Sequence, residues 1–189
     1  MPLGNAEHDP DQILVLEAFA DTIVPGAKRS PEDRAIAGVV DDPGAVEAGA
    51  VTLLGDPAGG LAPALEVAAM ELDEYATEYA REHDLTLDAD VPPFVALSFA
   101  DRTALVARLC APDHPEKQMW VGLALFSNMA YDSGAHLSTT EALSTGHPGL
   151  LGIGFAPPQE DGLWRFPRFS YGRQLADLHP HTTSTGSPS

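Results

Sequence analysis

Apolar residues recur at helical spacing along most of this chain, and a residue that can cap a helix precedes most of the apolar stretches. The clearest stripe lies between Leu61 and about His83, where apolar positions follow the 3.6-residue helical period. The pattern predicts helices that begin near Asp9, Ser30, Asp42, Leu61, Ser98 and His114. Since no hairpin pattern interrupts the series, the sequence predicts an all-α fold, a compact bundle of five or six helices.

Several of these predicted helices have defined ends or faces. The helix from Ser30 is expected to end near Gly38, and the helix from Asp42 to end at Gly55. The run from Met119 to Ala130 is apolar on almost every side, which predicts a central, buried helix.

The composition of the chain changes at Gly146, where glycine and proline become too frequent for a predicted helix. We therefore expect four regions along the chain. They are an N-terminal extension (1–10), a helical domain (11–145), a long irregular C-terminal arm (146–178) and a disordered tail (179–189).

The net charge of the chain makes some classes of binding partner unfavourable. The net charge is −18, and residues 1–101 hold 21 acidic against four basic side chains. A surface this acidic repels phosphate groups, so nucleic acid and anionic membranes are not expected partners.

The single Cys110 excludes an internal disulfide, the first ten residues lack the features of a secretory signal, and no apolar run has the length of a membrane span. We expect a cytoplasmic protein.

Recognisable catalytic machinery is absent from the sequence. No pair or cluster of histidine, cysteine and carboxylate residues has metal-ligand spacing, and no flavin or nicotinamide fingerprint occurs. We therefore expect neither a metal nor a cofactor in this chain. The one weaker alternative is acid–base chemistry by Asp132, His136, His147 and Tyr171, in a pocket beneath the C-terminal arm.

Aromatic and arginine side chains are concentrated between Gly162 and Gly172. Tryptophan, tyrosine and arginine are enriched at protein–protein interfaces because they cover a large area at modest entropic cost. The predicted partner-binding residues of this segment are Trp164, Arg165, Phe166, Arg168, Phe169 and Tyr171. Two interpretations stay open, in which the segment either docks on a partner or folds back onto the chain's own core.

Two blocks of the sequence, Leu16 to Gly26 and the segment that follows Pro43, carry a resemblance to a known family. Together with Pro93–Ala135 and the turn at Gly146–Gly149, they resemble the small subunit (subunit 3, or gamma) of gluconate 2-dehydrogenase. Members of that family are often exported with a twin-arginine signal, which is missing here, so the chain resembles a soluble actinobacterial offshoot.

The resemblance implies a function without redox chemistry of its own. Such small subunits bind and mature a large flavoprotein subunit of the glucose-methanol-choline oxidoreductase class, and FAD is then expected in that partner of a hetero-oligomer. A partner in specialised metabolism is expected rather than a respiratory sugar dehydrogenase. Two alternatives are a stand-alone helical enzyme, which would use the four residues named above, and a homo-oligomeric scaffold protein.

Overall fold

The computed structural model describes residues 9–155 and residue 181. Within this part of the chain the secondary structure consists of α-helices and two short 3₁₀ turns, and no strand occurs. The helices are α1 (Pro10–Ile23), α2 (Ala50–Leu54), α3 (Leu65–Glu82), α4 (Pro93–Ala96), α5 (Phe99–Leu109), α6 (Lys117–Asp132), α7 (Thr139–Thr145) and α8 (Pro148–Gly152). The predicted all-α class is confirmed, although the described range holds eight helices rather than five or six.

Helix α1 lies at the centre of the fold and contacts α2, α3, α4, α5 and α6. It begins as predicted, because the Asp9 carboxylate accepts a hydrogen bond of 3.2 Å from the backbone N–H of Asp11. The buried ring of Phe19 has its centroid 6.5 Å from that of Phe94 in α4 and 6.4 Å from that of Trp120 in α6. These three rings form the aromatic centre of the core.

The predicted stripe of α3 faces this core. Leu65, Ala68, Leu72 and Ala76 are buried along one side of the helix, as their spacing indicates. The predicted helix start at Ser98 is also confirmed, since Ser98 Oγ caps α5 by accepting a hydrogen bond of 3.2 Å from the backbone N–H of Asp101.

The helix predicted from Ser30 to Gly38 is absent, and the segment forms turns instead. The carboxylate of Asp33 accepts hydrogen bonds from the backbone N–H groups of Ala35 and Ile36, each at 3.2 Å. Such local bonds from a side chain to the backbone compete with helix formation. The prediction was wrong because Asp33, read as part of a helix start, here folds the chain around itself.

The helix predicted from Asp42 to Gly55 is mostly a turn, and α2 begins only at Ala50. Gly49 precedes it with a φ of +91°, a left-handed conformation that ends any helix arriving from Pro43. The segment also crosses the end of α1 closely, because a Cβ added to Gly26 would lie 2.6 Å from the backbone nitrogen of Gly44. This contact brings the two blocks of the sequence resemblance together.

Helix α6 begins at Lys117, three residues later than predicted, and only one of its sides is buried. Trp120, Leu123 and Ala130 face the core, whereas Val121 and Leu125 are exposed. The prediction of a helix buried all round was therefore wrong. The reason is that the core contacts α6 from one side only.

Regular structure continues beyond Gly146, contrary to the predicted irregular arm from 146. His147 caps α8, Pro148 occupies its first turn, and the compact unit extends to Phe155. Helix α7 begins with a further capping box, in which Ser138 Oγ accepts from the N–H of Glu141 at 3.2 Å.

Candidate functional site

The structure brings together two of the predicted acid–base residues, His136 and His147. Their ring centroids lie 5.9 Å apart, on either side of α7, beside the turn that precedes α2. Tyr171 and the other five predicted partner-binding residues lie outside the described residues, as does the predicted tail apart from His181.

His147 uses both nitrogens of its ring in hydrogen bonds to the backbone. Its Nδ1 lies 3.3 Å from the backbone N–H of Leu150, and its Nε2 lies 3.1 Å from the carbonyl oxygen of Ala48. The first contact requires Nδ1 to accept and the second requires Nε2 to donate, so the geometry fixes the neutral Nε2–H tautomer. His147 thus caps α8 and ties it to the turn before α2.

His136 packs against the same turn. A Cβ on Gly49 would lie 2.5 Å from His136 Nε2, so only glycine leaves room for this ring. His136 Nδ1 is buried, and no partner contacts it in the described part of the chain. Burial, and after it the neighbouring His147, lower the pKa of His136 below its usual 6.5, while Glu141 and Asp56 act in the opposite direction.

Asp132 is directed elsewhere. Its carboxylate accepts a hydrogen bond of 2.8 Å from the side-chain amide of Asn128, one turn earlier in α6. No hydrogen bond between Asp132 and either histidine occurs among the described residues. The three side chains therefore form no relay of base and orienting carboxylate.

The sequence prediction missed a second polar group, buried at the end of α1. The Asp21 carboxylate is 1 % exposed and accepts hydrogen bonds from the backbone N–H groups of Gly26 (3.0 Å) and Ala37 (2.9 Å). Burial raises its pKa, and the two backbone hydrogen bonds together with the charge of Arg102 partly offset that effect. The signal was available, because a lone aspartate near the end of an apolar helix needs buried partners.

A third group joins α3 to the segment before α6. The Tyr75 hydroxyl donates a hydrogen bond of 3.0 Å to Glu116, and its ring packs edge-on against His114 and Trp120. Burial, and after it the bond to Glu116, raise the pKa of Tyr75 to about 12. The sequence gave no signal for this pairing, since Tyr75 and Glu116 lie in separate predicted helices.

Exposed apolar side chains are the remaining feature that bears on function. Val121 and Leu125, four residues apart, share the outer face of α6, with 40 % and 54 % of their area exposed. Further exposed apolar residues include Val67 and Met70 on α3 and Leu151 on α8.

Two kinds of site are missing from the part of the chain that the structure describes. No group of three or more histidine, cysteine or carboxylate side chains is placed to hold a metal ion there. In the same part, no helix combines the length and apolar character that crossing a membrane requires.

Comparison with known proteins yields a family but no activity. Among curated proteins and among solved structures, no match was found. Residues 10–189 match the model of a family of unknown function (DUF5987). Since this match covers nearly the whole chain, including every helix described above, the chain belongs to that family.

Proposed function

We propose that this chain is a non-catalytic subunit that binds and stabilises a larger, flavin-dependent oxidoreductase of the glucose-methanol-choline class. The observation that carries the proposal is the outer face of α6, where Val121 and Leu125 are exposed side by side. Single exposed apolar residues are common, but neighbouring ones on one helix face form a surface that a partner can cover. We call this pair the α6 face.

The charge of the chain favours a different protein as the partner over a second copy of itself. A net charge of −18 means that two copies repel each other, whereas a less acidic or basic surface is attracted. This argument supports the hetero-oligomer over the homo-oligomeric scaffold.

The hydrogen bonds of His147 and Asp132 support a structural role over a catalytic one. A general acid or base needs a ring nitrogen that can exchange a proton with a substrate. Both nitrogens of His147 are held by the backbone, and Asp132 is held by Asn128. The stand-alone enzyme therefore gains no support from the described part of its predicted site.

The flavoprotein class of the partner rests on the sequence resemblance of the Leu16–Gly26 and Pro43 blocks. These blocks contain the close backbone contact of Gly26 with Gly44. We also propose a cytoplasmic location, since the single Cys110 forms no internal disulfide.

The proposal is tested by isolating the tagged full-length chain from its own organism and measuring flavin absorbance and the subunit ratio of the complex. A stoichiometric flavoprotein is expected with the wild type. The double substitution Val121→Glu and Leu125→Glu should reduce its recovery at least tenfold, because it places two charges in the interface.

A matched control is available in two exposed valines away from α6. Val39→Glu with Val40→Glu makes the same chemical change at similarly exposed positions and should leave recovery unchanged. The proposal fails if the wild type retains no flavoprotein, or if both double variants lose it equally.

A further inference from the structure

The hydrogen bonds that fasten α8 depend on a neutral imidazole. In the neutral tautomer, His147 Nδ1 accepts from the Leu150 N–H and Nε2 donates to the Ala48 carbonyl. A second proton can add only at Nδ1, where it would oppose the N–H of Leu150. Protonation therefore removes the cap of α8.

The surroundings of the His136 ring also resist positive charge. His136 and His147 are 5.9 Å apart, so each imidazolium would face the other. The charged groups that act on His136 from the elements around it are Glu141 of α7 and Asp56, which follows α2. These two carboxylates favour a charged ring, but burial and His147 outweigh them, and the pKa of His136 lies below 6.5.

The surroundings of the two rings are closely packed. Gly49 and Gly134, both with positive φ, fit closely against them, and Gly149 of α8 packs directly on the backbone of Tyr131. Helix α8 spans only Pro148–Gly152, too short to persist without such contacts.

We propose that His136 and His147 form an acid-sensitive latch, which releases α7 and α8 from the Ala48–Gly49 turn as the pH falls. The direction of this pH effect follows from the difference in proton binding between the closed and open forms. Since the closed form holds His136 with a lowered pKa, the open form binds more protons below the usual value of 6.5. The closed form is therefore fully stable above that pH and loses stability as the pH falls below it. This inference is independent of the flavoprotein partner.

Hydrogen exchange of the full chain, read by mass spectrometry and corrected for the intrinsic pH effect, tests the latch. Between about pH 7.5 and about pH 5, peptides from 45–50 and 136–152 should lose about tenfold in protection, while those from α1 and α3 keep theirs. The double variant His136→Gln, His147→Asn should lose this dependence, because asparagine can cap a helix without titrating. His114→Gln, which changes a histidine beside Tyr75, should keep it.

Two outcomes would overturn the latch: unchanged wild-type protection across this pH range, or an equal loss in the wild type and the double variant. Should the double variant fail to close at about pH 7.5, an NMR titration of the wild type decides the question. The Leu150 amide and the His136 ring should then shift together. A Leu150 amide that stays fixed while His136 titrates refutes the proposal.

Discussion

Asp21 and Arg102 both bind the backbone of one buried segment, Asp21 as an acceptor of hydrogen bonds and Arg102 as a donor. The carboxylate of Asp21 accepts from the backbone N–H of Ala37, and the guanidinium of Arg102 donates to the carbonyl of Ala35 at 2.6 Å. Arg102 also donates to the carbonyl of Val95 at 2.6 Å, so it links this segment to α4. The two charges attract each other while their hydrogen bonds go to the backbone. Their hydrogen bonds hold this segment in a conformation other than the helix that the sequence predicts for 30–38.

Asp21→Asn should therefore destabilise the protein although it keeps the shape of the side chain. Its NH₂ group would replace an oxygen that accepts from Gly26 or Ala37, so two donors would face each other. We expect a loss of about 2 kcal/mol in the free energy of unfolding and a fall of roughly 4–8 °C in Tm, measured by circular dichroism. Asp88→Asn is the matched control, since Asp88 pairs with Arg34 at the surface and its substitution should leave the Tm almost unchanged. Equal effects of both variants would contradict the role given to Asp21.

Two glycine-to-alanine substitutions should have opposite signs. At Gly149, a Cβ would overlap the carbonyl oxygen of Tyr131, so alanine must displace α8, at a cost of about 1–3 kcal/mol. At Gly122, inside α6, the nearest atom is Leu61 Cδ2 at 4.0 Å, so alanine should stabilise by about 0.5–1 kcal/mol. Urea denaturation measures both. Stabilisation by Gly149→Ala would show that α8 does not pack on Tyr131 as described.

Tyr75 gives a prediction at alkaline pH. Its pKa is raised to about 12 from 10, so the folded state keeps the phenol protonated where the unfolded chain has released the proton. The stabilisation from Tyr75 should be complete below pH 10 and should decline as the pH rises towards 12. The difference in unfolding free energy between the wild type and Tyr75→Phe should therefore shrink across this range. A difference that stays constant would mean that Tyr75 titrates normally.

The segment Gly162–Gly172 lies outside the described residues, and both predicted interpretations of it can be tested. Replacing Trp164 and Phe166 by alanine should weaken partner binding by roughly thirtyfold, or about 2 kcal/mol, if the segment docks on the partner. If it packs on the chain's own core, the same change should lower the Tm of the isolated protein, because emptying buried aromatic sites costs roughly 3–5 kcal/mol. The double substitution Arg165→Glu and Arg168→Glu should be tested by the same two measurements, partner binding and Tm. Unchanged binding and unchanged Tm would remove this segment from the proposed interface.

Local signals in the sequence predicted the helices well where a cap and an apolar stripe coincide. Asp9 and Ser98 begin α1 and α5 as their side chains indicate, and the spacing from Leu65 to Ala76 gives the buried side of α3. The spacing of Ser138 and Glu141 carries the same signal for the start of α7, a helix that the predicted set does not include.

Other errors arise where residues far apart in sequence contribute to the local conformation. The segment 34–37 is held by Asp21 and Arg102, which no window around Ser30 contains. The exposure of Val121 depends on which side of α6 the core occupies, and apolar periodicity cannot give that when nearly every position is apolar. Likewise, the contacts of His136 and His147 with the Ala48–Gly49 turn could not be predicted, because that turn lies in another part of the chain.

The crossing of Pro25-Gly26 with Pro43-Gly44 gives a sequence pattern by which the same backbone path can be sought in other chains. A Cβ at Gly44 would lie 2.6 Å from the backbone of Pro25 and Gly26, so neither glycine tolerates a side chain while the crossing persists. Paired Pro-Gly dipeptides, one closing an apolar helix and one in the loop after it, are therefore a search pattern. A chain of different sequence that carries both in this order is a candidate for the same backbone path, and one with a larger residue at either position must route its loop differently.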